Sequence, residues 1–215
     1  MNVLAIAPHP DDESIGCGGT LRLHVERGDR VVAVFLTSGE LGLNLPRDEV
    51  HAIREAEAAE AAAVLGLAAI EFLRLPDWFL GDHIARATAA LAPILQRENP
   101  DILYAPHPGE THPDHRASVP IVRAALSLAP LPAPELRTYE IWTPLAEYEE
   151  VEDITDTMPH KLRAVRCYRS QLASFRYDRA VRGLAAYRGA LAAKCGYAEV
   201  FGSEEADYSK PFEQE

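Results

Sequence analysis

Two short polar segments of the chain hold histidine and carboxylate side chains at spacings that suit a metal ion. In the first, APHPDDES at residues 7–14, His9 and Asp12 are three residues apart, so a tight turn lets both reach one ion. One further residue from the second segment, APHPGETHPDHRA at residues 105–117, completes the set. Histidine and carboxylate ligands without cysteine suit zinc or another borderline divalent ion, and a catalytic site keeps one position for water.

The neighbouring carboxylate, Asp11, is directed elsewhere by the backbone and is placed to act as a general base on metal-bound water. The alternative for this segment is purely structural. Pro-Asp-Asp-Glu ahead of an apolar periodic stretch is also typical of a helix start, where the helix dipole favours acidic residues. Either motif alone is more often a cap than a metal site. Because both follow strands that are expected to be neighbours, the metal site is favoured.

Apolar strand patterns and amphipathic helix patterns alternate along the chain, with short polar joints between them. This alternation predicts an α/β fold, a Rossmann-like, doubly wound and mostly parallel sheet with helices on both faces. In the usual strand order 3-2-1-4-5, the first and fourth strands are adjacent, and ligands bind at their carboxyl ends. The predicted strands are 2–7, 30–38, 69–75, 101–106, 136–142 and 150–155, and the predicted helices are 14–28, 47–66, 83–99, 114–129, 158–172 and 178–195.

The chain, at 215 residues, suits one domain. We expect a core of about 1–145, a C-terminal strand and basic helices as a helical appendage over about 146–200, and a polar tail over 201–215. The first predicted helix carries three glycines (Gly16, Gly18 and Gly19), each of which costs roughly 1 kcal/mol relative to alanine. They indicate a close approach, either of the helix to the sheet or of a ligand to the backbone.

The net charge of −12 argues against nucleic acid or an anionic membrane as the main partner. No stretch is long and apolar enough to span a membrane, and the start lacks the basic region of a signal peptide. Three cysteines in no C-x-x-C pair fit a reducing cytoplasm. Residues 158–194 carry nine Lys or Arg and a single acid, Asp178. This basic segment packs on the acidic body or another subunit, or else it faces an anionic part of a substrate.

APHPDDESIGCGGTL and THPDHRA together resemble the PIG-L/LmbE-like N-acetylglucosaminyl deacetylases, a zinc-dependent family. The family's two motifs match at residues 8–13 and 112–115, and the likeness extends to about residue 171. The resemblance implies metal ligands, catalytic groups and substrate-binding groups at eight positions. The implied metal ligands are His9, Asp12 and His115. Asp11 is the implied base, His112 in its protonated form stabilises the oxyanion, and Asp114 orients or charges His112. The implied substrate-binding residues are Arg54 and Trp78.

Two of these assignments have structural alternatives. Arg54 could instead form a surface salt bridge with Glu57 or Glu49, and Trp78 could simply cover the core. The resemblance also implies Zn²⁺, with Fe²⁺, Mn²⁺ or Co²⁺ as other candidates, and a homo-oligomer.

The implied activity is removal of an acetyl group from an N-acetylglucosamine-type substrate, with release of acetate and a free amine. The basic segment favours GlcNAc-malate, as in bacillithiol synthesis. One alternative is a related amide hydrolase that acts on a thiol conjugate or an antibiotic precursor. Another is a non-catalytic, Rossmann-like nucleotide-binding protein, in which HPDD merely caps a helix.

Overall fold

The centre of the protein is one seven-stranded sheet, seen in a computed structural model that describes residues 1–203. The strand order is β3-β2-β1-β4-β5-β7-β6. Strands β1 to β5 pair in parallel, so the predicted order and the adjacency of the first and fourth strands are confirmed. The strands are β1 (Asn2–Ala7), β2 (Arg30–Phe35), β3 (Ala69–Phe72), β4 (Ile102–Pro106), β5 (Glu135–Tyr139), β6 (Glu150–Asp153) and β7 (Ala198–Ser203).

Helices cover both faces of this sheet, as the alternation of patterns predicts. Along β1, Val3 and Ala5 face one hydrophobic cluster, whereas Leu4 and Ile6 face the other. Each cluster is closed by a different group of helices, so the buried strands must be apolar on both sides. The helices are α1 (Asp12–Gly16), α2 (Gly18–Glu26), α3 (Arg47–Leu65), α4 (Ile84–Glu98), α5 (Pro113–Leu128), α6 (Met158–Cys167), α7 (Arg169–Leu172) and α8 (Tyr177–Arg188).

The predicted helix 14–28 is in fact two helices, α1 and α2, which meet at Cys17. The glycines around this break allow close packing of helix on sheet. A Cβ on Gly16 would lie 2.1 Å from the Tyr139 ring, and one on Gly19 would lie 2.7 Å from Ile154. Of the two explanations offered by the sequence, close approach of helix to sheet accounts for both positions.

The C-terminal region completes the sheet with a strand that the sequence patterns missed. Strand β7 inserts between β5 and β6 and is antiparallel to both. The prediction that a polar tail begins at residue 201 is therefore corrected, since Phe201 is fully buried in β7. The rest of the predicted tail lies outside the described residues. Within residues 1–203 we find no helix that is both long and apolar enough to cross a membrane.

Three of the nine cations in the basic segment 158–194 pair with acids outside it. Lys161 binds Glu199, Arg169 binds Glu60, and Arg188 binds Glu140. The structure thus favours the first of the two expectations for this segment, because its buried cations are already neutralised by the body.

Candidate active site

The loop after β1 folds around the carboxylate of Asp12. Asp12 Oδ2 accepts a hydrogen bond from the His9 backbone N–H at 2.9 Å and lies 3.1 Å from His9 Nδ1. Asp11, between them, has a φ of 130°, a region ordinarily left to glycine. Its backbone N–H donates to Glu13 Oε2 at 3.2 Å. The sequence HPDDE therefore makes a tight, strained turn that presents several polar side chains at the end of the strand.

The second segment begins α5, and its residues face the first. His112 caps the helix, because its Nδ1 accepts a hydrogen bond from the Asp114 N–H at 3.2 Å. Pro113 occupies the first helical position, which suits its fixed φ and missing N–H. His115 Nε2 then lies 3.4 Å from Asp12 Oδ2, although the two residues are distant in sequence.

One carboxylate oxygen of Asp12 lies at ligand-like distances from a ring nitrogen of His9 and a ring nitrogen of His115. Metal–ligand bonds of roughly 2.0–2.1 Å place neighbouring ligand atoms about 3.3 Å apart in a tetrahedron. Asp12 Oδ2 is 3.1 Å from His9 Nδ1 and 3.4 Å from His115 Nε2, on either side of that value. Ring nitrogens of His9, His112 and His115 also lie within 4.8 Å of one another, so His112 is within reach of the same centre.

A second set of carboxylates holds the far nitrogens of the two histidines. His9 Nε2 is 3.1 Å from Asp77 Oδ1 and 3.2 Å from Asp114 Oδ2. His115 Nδ1 is 3.3 Å from Glu110 Oε2. Metal-binding histidines usually donate their other N–H to such a group, which fixes the tautomer and orients the ring. This arrangement supports His9 and His115 as ligands.

The same carboxylates make the pocket attractive to a cation. Burial alone would lower the pKa of His9, but hydrogen bonds to Asp114 and Asp12 more than offset it and raise that pKa well above its ordinary value. Burial opposes ionisation of Asp77 as well, yet its bond to His9 lowers the pKa to about 2. The pocket therefore stabilises positive charge at the position where the ligands converge.

Asp77 and Glu110 are two functional candidates that motif reasoning missed. Glu110 Oε1 accepts backbone N–H bonds from Ile141 at 2.8 Å and Thr143 at 3.1 Å, while its other oxygen faces His115. Asp77 follows β3, whose carboxyl end lies at the same sheet edge as those of β1 and β4. That adjacency was the one signal that could have identified Asp77. Glu110 lies within the second polar segment, but its spacing carries no ligand pattern.

Asp11 is buried next to the ligand set without joining it. Burial raises the pKa of Asp11 to about 8, with Arg54 opposing the shift and Asp12 adding to it. Arg54 Nη2 lies 3.6 Å from Asp11 Oδ2 and also donates to the Pro10 carbonyl. A carboxylate with a raised pKa can both accept and return a proton near neutral pH.

His112 differs from the protonated form expected from the sequence. Burial, together with the charges of His9 and His115, lowers the pKa of His112 to about 4. Because its Nδ1 accepts the Asp114 N–H, the proton of the neutral ring belongs on Nε2. His112 is thus arranged as a neutral hydrogen-bond donor. Asp114 orients it through the backbone, while the Asp114 carboxylate faces His9 instead.

The two residues predicted to contact substrate lie at the same pocket. Arg54 is buried, with 2% of its surface exposed, which does not fit the surface salt bridge that was its alternative. Trp78 is 52% exposed, its backbone N–H donates to Asp114 Oδ2 at 2.7 Å, and its ring meets the His112 ring edge-on with centroids 4.4 Å apart. Trp142 approaches His112 similarly, at 5.4 Å. The pocket has a volume of about 260 Å³, with the ligand set and Asp11 inside and the two tryptophans in its wall.

A buried cluster of histidines and carboxylates that could hold a metal ion, placed at the switch point of a parallel sheet with a further carboxylate beside it, is typical of a metal-dependent α/β hydrolase. The pattern of one such family, PIG-L, described as GlcNAc-PI de-N-acetylase, matches residues 4–126. The chain belongs to this family, and it is an amide-hydrolysing deacetylase.

Three relatives illustrate the similarity. A Bacillus cereus protein named Probable N-acetyl-alpha-D-glucosaminyl L-malate deacetylase 2 is 30% identical over 191 residues, 82% of this chain and 86% of that one. The solved N,N'-diacetylchitobiose deacetylase of Pyrococcus horikoshii has a TM-score of 0.79 and 30% identity, covering 93% of this chain and 82% of the other. A conserved protein of Thermus thermophilus has a TM-score of 0.84 and 32% identity over 100% of both chains.

Proposed function

We propose that the protein removes the acetyl group from an N-acetylglucosamine glycoside and releases acetate and a free amine. The observation that carries this proposal is the convergence of His9 Nδ1 and His115 Nε2 on one oxygen of Asp12, with Asp11 adjacent and unliganded. The relatives named for GlcNAc-malate and diacetylchitobiose share the N-acetylglucosamine unit and support this substrate class. GlcNAc-malate is the first conjugate to test. The ion pairs of Lys161, Arg169 and Arg188, however, weaken the charge argument that favoured it.

The residues divide the chemistry among them. His9, Asp12 and His115 would hold a divalent ion, for which we propose Zn²⁺, with Fe²⁺, Mn²⁺ and Co²⁺ as alternatives. When bound, such an ion supplies Lewis acidity and lowers the pKa of water. Asp11 accepts the proton of the attacking water. His112 Nε2–H donates a hydrogen bond to the developing oxyanion, a contribution often worth about 3 kcal/mol.

The amine leaves only after its nitrogen is protonated, and Asp11 is the better supported source of that proton. Burial raises the pKa of its carboxyl, which favours retention of the proton taken from the water. His112, with a pKa of about 4, would instead give up its Nε2 proton only from the rarely populated charged form. Arg54 holds the Asp11 loop through the Pro10 carbonyl, and Trp78 offers a face to the sugar ring.

Three broader expectations belong to the same proposal. We propose one domain over residues 1–215, because β7 of the C-terminal region pairs with β5 of the core. Its three cysteines are free thiols, which supports a reducing cytoplasm. Large exposed apolar side chains such as Leu191, at 67%, and Leu128, at 62%, support a homo-oligomer.

The test is primary-amine release by zinc-loaded protein from GlcNAc-malate, free GlcNAc, GlcNAc-inositol and diacetylchitobiose. Asp11→Asn should retain stoichiometric zinc while kcat falls about 10²–10⁴-fold, the usual contribution of a general acid–base group. Asp12→Asn should lose both zinc and activity. The matched control is Asp156→Asn, at an exposed turn outside the pocket, which should behave like the unaltered protein.

Each alternative has a distinct outcome. Full activity of Asp11→Asn would remove Asp11 from the mechanism. No release from any substrate, with one zinc per chain, would favour a related amide hydrolase acting on another conjugate. Absence of both zinc and activity would favour the non-catalytic nucleotide-binding protein.

A further inference from the structure

A second pocket lies directly beside the catalytic one. Its volume is about 440 Å³, and it is formed between α1, the loop after β5, and α8. Trp142, Phe175 and Tyr177 line both pockets, so the two are neighbours across a single aromatic wall. No part of the chemistry described above uses this second pocket, which we call the apolar pocket.

The walls of the apolar pocket are mainly aliphatic and aromatic. Ile141 and Pro144 contribute from the loop after β5, and Val181 and Leu184 contribute from α8. Such walls gain free energy when they are removed from water, roughly 25 cal/mol per Å² of apolar surface. A ligand that fills this space must present hydrocarbon.

The charged groups at the edge of the apolar pocket are already neutralised within the protein. Glu140 pairs with Arg188 and accepts the Leu145 N–H at 2.7 Å. Lys161 is 2.5 Å from Glu199 Oε1 and donates to a backbone carbonyl of α1. Since the one cation in this lining is buried and paired, the pocket offers no counter-ion for an anionic group.

The volumes of the two pockets also indicate that a substrate extends from the catalytic pocket into the apolar pocket. Small-molecule sites usually measure roughly 300–1,000 Å³, and the catalytic pocket, at about 260 Å³, falls below that range. A glycoside whose acetamide reaches the ligand set therefore extends beyond it. The adjoining space of about 440 Å³ lies within the usual range.

Two of the three side chains in the wall between the pockets are exposed in the protein. Phe175 is 55% exposed and Trp142 is 47% exposed. Phe175 stacks on Tyr177 with ring centroids 5.4 Å apart. Exposed aromatic groups that connect two pockets form a continuous surface for a ligand with a sugar at one end and hydrocarbon at the other.

We propose that the apolar pocket binds the aglycone of the substrate and that this aglycone is an alkyl or aryl group. The inference rests on the proposed function, because it assumes that the acetamide of the same molecule lies in the catalytic pocket. It assigns the substrate to the class of apolar N-acetylglucosaminides, which differ in their aglycone from the malate and chitobiose conjugates for which the relatives are named.

The first experiment measures kcat/KM for the methyl, butyl and hexyl glycosides of N-acetylglucosamine. We expect KM to fall along the series by up to about fourfold per methylene, the factor that corresponds to burial of a CH₂ group. Binding of the matching alkyl glucosides, which lack the acetamide, is measured by calorimetry and should strengthen in the same order.

The second experiment fills the apolar pocket. Leu184→Trp should weaken hexyl glucoside binding and raise the KM of the hexyl substrate about tenfold, without changing the methyl substrate. Ala180→Trp, at an exposed position of the same lining, serves if Leu184→Trp fails to fold. The control is Leu191→Trp, at an exposed position outside both pockets, which should leave the series unchanged.

The outcomes separate this inference from the proposed function. Equal deacetylation of all three glycosides, or an unchanged series in both tryptophan variants, would overturn the apolar aglycone and leave the deacetylase intact. Binding that depends on chain length, without amine release from any glycoside, would keep the apolar pocket and overturn the proposed function. Binding independent of chain length, without amine release, would overturn both.

Discussion

The two neighbouring pockets are built from different parts of the chain and in different ways. The catalytic pocket comes largely from loops at the carboxyl ends of β1, β2, β3 and β4, and it concentrates buried histidines and carboxylates. The apolar pocket comes largely from α8 and the loop after β5, and its ionised groups are paired. In this protein the parallel strands position the catalytic residues, whereas the C-terminal region forms the neighbouring pocket and so limits which ligand groups can bind beside them.

Glu110 couples the two regions, since it contacts His115 on one side and the loop after β5 on the other. Glu110→Gln should therefore weaken metal binding about 10–100-fold, as loss of a carboxylate behind a metal ligand usually does. Competition with a chelator measures the change. Glu147→Gln, at an exposed position, is the control. An unchanged metal affinity in Glu110→Gln would mean that the loop after β5 does not support the ligand set.

Substitution of Gly16 tests whether close packing holds the wall of the apolar pocket in place. Gly16 lines that pocket and packs against Tyr139. Gly16→Ala would place a Cβ 2.1 Å from the Tyr139 ring, and we expect a loss of roughly 1–3 kcal/mol in the free energy of unfolding. Urea unfolding measures this change in the free energy of unfolding.

Gly183→Ala, within α8, is the matched control, since a Cβ there meets nothing within 4 Å. It should stabilise the protein by up to about 1 kcal/mol, the helix preference for alanine. Equal stability of the two variants would show that the contact between Gly16 and Tyr139 does not constrain this wall.

The smallest expected effect is a pH dependence that belongs to the catalytic pocket alone. Burial would raise the pKa of Glu110, but hydrogen bonds to His107, His115 and backbone N–H groups hold it well below its usual range. Because the pKa of Glu110 is lower in the folded protein than in the unfolded chain, where it is about 4.3, the ionised carboxylate stabilises the fold fully above about pH 4.3. The contribution is lost as pH falls through the folded-state pKa.

Urea unfolding of metal-free protein between pH 7 and pH 3 checks this dependence. The stability difference between the unaltered protein and Glu110→Gln should be constant above about pH 5 and should shrink below about pH 4.3. Leu184→Trp should not change the pH dependence. A difference that stays constant down to pH 3 would contradict the low pKa of Glu110.

Local sequence patterns predicted most of the strands and helices. They failed where contacts between distant segments of the chain determine the structure. The alternation of strands and helices predicted β1 to β6 and the adjacency of β1 and β4. Strand β7 was missed because its pairing with β5 and β6 involves residues far apart in sequence. The glycines in the helix assigned to 14–28 likewise pack against distant residues, Tyr139 and Ile154, which the local pattern does not reveal.

By itself the sequence determined the ligand candidates, because HPDD and HPDH carry their donors within a few residues of one another. It also determined their meeting place, since the alternation of strands and helices, with the usual strand order of such sheets, predicts which strands are parallel and neighbouring. Only the tertiary structure decided that Asp77 and Glu110 face the rings of His9 and His115, that burial and nearby charges disfavour a protonated His112, and that an apolar pocket adjoins the site. Those features depend on burial and on contacts between distant segments, and such contacts leave no local spacing in the chain.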